Sequence, residues 1–215
     1  MAKSTSRARR VLKEVERTDI KVTRKVSLGK DRAAGRWMRR FAEIGDQPPL
    51  VAVSLGVIAA GLAGGHDRLR RTGFRMLTAH SLSTLAKLAG KGNIDRTRPG
   101  ALNEKAYRLE KGDSRDGRLR SMPSGHSAGI VAIAGAIAAD YPRALVPLGA
   151  ASVAVGAAQL PSRNHFLSDV VVGAGIGLAV AGLARLLIPP LERPPTRRLA
   201  PHPGLRGRPG CNDWS

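Results

Sequence analysis

The sequence predicts an all-α fold, a multi-pass transmembrane helical bundle of about five spans with an amphipathic segment in front of it. Two observations carry this. Uncharged stretches recur through the middle of the chain, at 50–65, 76–86 (where His80 is the one titratable group), 127–139, 144–162 and 170–184. They are rich in Ala, Gly, Val and Leu, show no period-two alternation, and are too long for ordinary strands. Charge is gathered at the ends instead: residues 1–47 hold 14 Lys/Arg against 6 acids, and 192–215 is rich in Arg and Pro.

Taken in order, residues 33–44 set Trp37, Met38, Phe41 and Ile44 among Arg36, Arg39 and Arg40. That is the pattern of an amphipathic helix, either at a membrane surface or packed on the domain. Five helices follow at about 49–65, 72–90, 126–141, 144–160 and 166–188, delimited by Pro48-Pro49, Gly90, the Tyr141-Pro142-Arg143 turn and Pro189-Pro190. At ~1.5 Å per residue they reach roughly 24–34 Å, against about 30 Å of hydrocarbon. Gly173 and Gly177, one turn apart with no strand before them, suit close helix packing rather than a dinucleotide loop. The chain thus divides into a basic N-terminal segment (1–47), a membrane domain (48–190) and a basic tail (191–215).

A formal charge of +20 calls for anionic partners, including acidic lipid at the basic termini. Aromatic residues make up only 3%, too few for base-stacking platforms, so no specific nucleic-acid partner is expected. The lone Cys211 allows neither an internal disulfide nor a cysteine zinc site.

Three polar signatures stand at the ends of the apolar helices. Lys91 and Arg98 offer a point charge and a planar fork suited to phosphate, although basic residues also flank spans without further role. Pro123-Ser124-Gly125-His126 turns into the third helix, where free backbone N–H groups bind anions and Ser124 can also act as a cap. His165 and Asp169, four apart, are expected to share a face of the fifth helix, the carboxylate fixing one imidazole nitrogen and freeing the other for attack. In an up-and-down bundle all three fall on one end. No further residues at ligand spacing accompany the His/Asp pair, so neither a metal nor another cofactor is expected.

These signatures resemble the type-2 phosphatidic acid phosphatase/haloperoxidase superfamily, in its membrane-embedded lipid-phosphatase branch. Lys91–(six residues)–Arg98-Pro99 matches the first motif, residues 123–126 the second, and His165/Asp169 half of the third. The resemblance implies metal-independent hydrolysis through a phosphohistidine, with His165 as nucleophile oriented by Asp169 and His126 as proton donor. Lys91, Arg98, Ser124 and Gly125 would hold the phosphate. The motif's arginine belongs six residues before His165, where Gln159 stands; Ser162-Arg163 occurs four residues later. Arg163 is therefore expected to supply the phosphate-binding cation from the turn. The alternatives are a site with one cation fewer, or weakened activity.

The reading that follows is a multi-pass cell-membrane phosphatase acting on a lipid phosphate or isoprenyl diphosphate. The alternative is a protein of the same fold that binds anionic lipid with weak or no catalysis. A basic nucleic-acid-binding protein is a third reading, resting on net charge alone.

Overall fold

Asp46 opens the bundle by accepting the Gln47 backbone N–H on its side chain at 2.9 Å, with Pro48 and Pro49 in the first turn that follows. The computed structural model describes residues 2–27, 33–103 and 105–190; the expected basic tail lies outside them. Seven helices are found in that span: α1 (Ala2–Val26), α2 (Ala33–Ala42), α3 (Gln47–Ala63), α4 (Asp67–Lys91), α5 (Gly125–Asp140), α6 (Leu145–Ala158) and α7 (Leu167–Leu187). The last five match the five helices read from the sequence to within a few residues at each end, α4 starting earliest. Helix α2 is the expected amphipathic segment, and α1 is an addition.

Among the described residues only α7, with 21 residues and a mean hydropathy of 2.1, is both long and apolar enough to cross a membrane alone. Helices α5 and α6 are apolar but shorter, and residues 35–45 with α3 form a pair bent by 48°. Helix α4 has the length, 25 residues, but carries Arg68, Arg70, Arg71 and Arg75 in its first half. Five full spans are therefore more than these helices establish. Large apolar side chains nevertheless face outward, Val146 at 80% and Leu186 at 79% exposure among them.

The core is small-sided: Leu50, Met76, Ala79, Ala132, Ile133, Ala136 and Ala184 join α3, α4, α5 and α7. Alanine and glycine here permit close approach in place of large interdigitating side chains. At Gly173 an added Cβ would lie 2.4 Å from the Ser124 carbonyl oxygen, and at Gly177 2.6 Å from that of Ala128. The small-residue face expected of α7 is thus the face that touches α5.

One end of the bundle is tied by a buried ion pair. Arg75 on α4 meets Asp140 at the end of α5, and its Nε donates to the Ile188 carbonyl, past α7, at 2.7 Å. Thr72 adds a hydroxyl to the same carboxylate at 2.5 Å. At the other end, an antiparallel ribbon of β1 (Ile94–Arg96) and β2 (Leu109–Lys111) links α4 to α5, with Asp95 opposite Glu110. All three sequence signatures lie at this ribbon end.

Candidate active site

Helix α4 delivers Lys87 and Lys91 to the ribbon end one turn apart, so both point the same way. The chain then turns through β1 and sets Arg98 opposite them. A cavity of about 180 Å³ lies between, lined by Lys87, Lys91, Arg98, Gly125, His126 and His165. Gly45, Asp46, Gln47, His80, Ser83 and Thr84 complete its wall. Arg98 is steadied by its backbone surroundings, donating from Nε to Gly117 O at 2.9 Å and from Nη2 to Arg120 O at 3.4 Å.

The turn into α5 is shaped by a cis Met122–Pro123 bond and capped by Ser124, whose hydroxyl accepts the Ser127 N–H at 3.3 Å. The first amides of α5, at Gly125 and His126, have no acceptor within the helix. Gly125 admits the stem of Lys87, because an added Cβ there would lie 2.5 Å from the lysine Cδ.

His165 lies just before α7 rather than on it, because Phe166 is extended (φ −77°, ψ 164°) and occupies the capping position. Asp169, in the first turn, accepts the Phe166 N–H on Oδ2 at 2.9 Å. The same oxygen faces His165 Nδ1 at 3.8 Å, an ion-pair distance too long for a hydrogen bond. The pair meets across a helix start, not along a helix face as expected. The imidazoles of His126 and His165 stand 6.0 Å apart at 62°. Burial holds His165 below the ordinary imidazole range, with the Asp169 carboxylate working in the opposite direction. The ring is therefore neutral at neutral pH.

Asp169 is fully buried and held on both oxygens. Ser121 donates to Oδ2 at 2.6 Å, and Arg96 donates from Nη1 to Oδ1 at 2.5 Å. Arg96 also packs its guanidinium 4.7 Å from the Phe166 ring centre.

The structure brings Lys91, Arg98, Gly125, His126 and His165 to one cavity, with Ser124 and Asp169 directly behind it. It does not bring Arg163 there. Arg163 adopts a left-handed backbone (φ 58°) and donates from Nη2 to the Pro99 carbonyl at 3.1 Å. Its own carbonyl accepts the Gly100 N–H at 3.0 Å, so it ties the turn before α7 to the Arg98-Pro99 loop. Gln159 is wholly buried, donating to the Ala42 carbonyl at 3.1 Å.

Sequence reasoning passed over Lys87, Asp46, Arg96 and Ser121. The helical spacing from Lys91 was a usable signal for Lys87; the other three carry no local signature.

Residues 72–193 match the model of the PAP2 superfamily, more than half of the chain. The chain belongs to the PAP2 superfamily. Two solved structures share its fold. Aquifex aeolicus LpxE is similar with a TM-score of 0.57 at 20% identity, over 77% of this chain and 93% of that one. The first transmembrane PAP2-type phosphatidylglycerolphosphate phosphatase from Bacillus subtilis is similar with a TM-score of 0.60 at 20% identity, over 81% of this chain and 86% of that one. Among curated proteins no sequence matches the chain. Helices α1, α2 and α3 and the first turn of α4 precede the PAP2 match, so Asp46 and the end of α2 are contributed from outside it.

Proposed function

We propose that this PAP2 protein is an integral, multi-pass cell-membrane phosphatase that hydrolyses a lipid phosphate or isoprenyl diphosphate through a phosphohistidine, without a metal. The observation that carries the reading is the pair of imidazoles, 6.0 Å apart, facing a cavity lined by Lys87, Lys91 and Arg98. The free ring nitrogen of neutral His165 attacks phosphorus as the bond to the leaving oxygen breaks. His126 takes up a proton as the phosphate anion binds beside it, and gives that proton to the leaving oxygen. Neutral His126 then takes a proton from water, whose oxygen attacks the phosphohistidine and releases phosphate and free His165. The cations and the first amides of α5 stabilise charge on the equatorial oxygens throughout.

A lipid leaving group is supported by an apolar groove of about 1140 Å³ beside the site, lined by Trp37, Phe41, Val131, Val153, Val170 and Val171. Ser127, next in sequence to His126, reaches its edge. The outward apolar side chains and the apolar helix α7 support membrane insertion; the basic N-terminal helices support binding to anionic lipid.

The test is hydrolysis by detergent-purified protein of a panel of lipid phosphates and isoprenyl diphosphates in EDTA, with vanadate as inhibitor. Turnover that survives EDTA and a phosphate trapped on histidine are expected. Activity that vanishes on chelation and returns with a divalent ion sinks the mechanism. One observation favours the second reading, an anionic-lipid binder with little catalysis: the motif's arginine position holds a glutamine tied to backbone. Lipid binding without turnover across the panel would select it.

A further inference from the structure

Asp19 is one of a few acids in a strongly basic segment and belongs to α1, far outside the matched PAP2 region, yet it is only 2% exposed. Its Oδ1 accepts the Ser168 N–H at 3.0 Å, and its Oδ2 accepts the Ser168 hydroxyl at 2.6 Å. The same Oδ2 accepts Arg96 Nη2 at 2.5 Å. Arg96, itself 1% exposed, gives its other arm to Asp169, so one buried guanidinium is stretched between two carboxylates.

The geometry matters because of which oxygen Arg96 takes. It engages Oδ1 of Asp169, while Oδ2 is the oxygen that faces His165. A guanidinium left with one carboxylate prefers to grip it with two parallel bonds. Arg96 Nε has no partner, so the group has a further donor to offer. Without Asp19, Nη2 would keep only the Tyr107 hydroxyl at 3.2 Å. The fork would then turn onto both Asp169 oxygens, displacing Ser121 or Phe166 from Oδ2 and drawing the carboxylate charge away from the side that faces His165. We propose that Asp19 is a positioning residue: by holding Nη2 of Arg96 it confines that arginine to Oδ1 of Asp169 and keeps it off Oδ2, the oxygen that accepts Ser121 and Phe166 and faces His165. Helix α1 is thereby part of the active-site apparatus. This rests on the phosphatase reading for its effect on turnover, and not for its effect on the histidine.

Asp19→Asn keeps an acceptor for Ser168 and removes the anion. Turnover number is expected to fall at least tenfold with KM changed less than about twofold, as for an effect on the chemical step. Because Asp19 acts through Asp169, the double variant Asp19→Asn/Asp169→Asn should be no slower than Asp169→Asn alone. Unchanged turnover in Asp19→Asn, or losses that multiply in the double variant, overturn the proposal. If Asp19→Asn does not fold, Asp19→Ser, which also removes the anion and keeps a hydroxyl acceptor, goes through the same cycle and is judged by the same two outcomes. A second readout does not need turnover. In protein labelled at histidine nitrogen, the ring nitrogen signals of His165 are expected to shift in the Asp19→Asn variant, because the charge facing Nδ1 changes. No change there overturns the proposal. A wild-type protein without turnover, but with this spectral change, would refute the phosphatase reading alone.

Discussion

Gln159 is joined to Ala42: its side-chain amide donates to the backbone oxygen that closes α2, at 3.1 Å. Asn164 Nδ2 meets the other end of the same side chain at 3.3 Å. The position where the motif places an arginine is therefore a buried strut between α6 and the amphipathic helix. Gln159→Ala would strand the Ala42 carbonyl, and leaving a buried polar group unpaired costs about 1–3 kcal/mol. A lower midpoint of thermal unfolding in detergent is expected, with turnover per folded molecule changed less than about threefold. A large fall in turnover without loss of stability would put Gln159 in the chemistry instead.

The two histidines should fail differently. His165→Ala is expected to form no phosphoenzyme with any substrate. His126→Ala should still form one from a nitrophenyl phosphate, whose leaving group needs little protonation, and then hydrolyse it slowly. Rapid quench with acid-labile phosphate counting separates the two; label recovered on a residue other than His165 rejects the assignment.

Lys87 is expected to contribute as a third cation beside Lys91 and Arg98, since it lines the cavity and its stem rests on Gly125. A charge-assisted hydrogen bond is worth about 1.5–3 kcal/mol, or roughly 10–150-fold in rate. Lys87→Ala should lower kcat/KM by about tenfold or more and weaken vanadate inhibition in parallel, while Lys87→Arg keeps more of both. Equal vanadate affinity in Lys87→Ala would exclude contact with the phosphoryl group.

Burial keeps His165 neutral to a lower pH than a free imidazole. The sign follows directly: a group whose protonated form is disfavoured stays deprotonated as pH falls through about 6.5, the free value. NMR titration of the His165 ring should thus show its midpoint on the acid side of that value. A midpoint above it would mean that Asp169 outweighs desolvation.

The bundle was legible because uncharged runs mark its helices and Pro or Gly marks their ends; α3 to α7 fall close to where those signals put them. The cavity residues were legible where one motif carries them. Arg163 was not: its direction depends on a left-handed backbone in the turn before α7, and that turn sends the guanidinium to Pro99. Asp19 was not legible either, since an isolated acid among many basic residues looks like ordinary surface charge. Only the docking of α1 beside Ser168 gives it a partner. The number of spans is illegible for another reason. Helix α4 is long, but a row of arginines in its first half breaks the apolar pattern, and one of them, Arg75, is buried by Asp140.

Gly173 leaves no room for a methyl group between α7 and the carbonyl of Ser124. The turn that carries His126 into the cavity is thus braced by a residue that does not line it. A stop set 49 positions downstream of Ser124 limits how far that turn can retreat. Enlarging the pocket by changing its lining alone would leave that stop in place. Selection for bulkier head groups would have to move the wall and the helix behind it together.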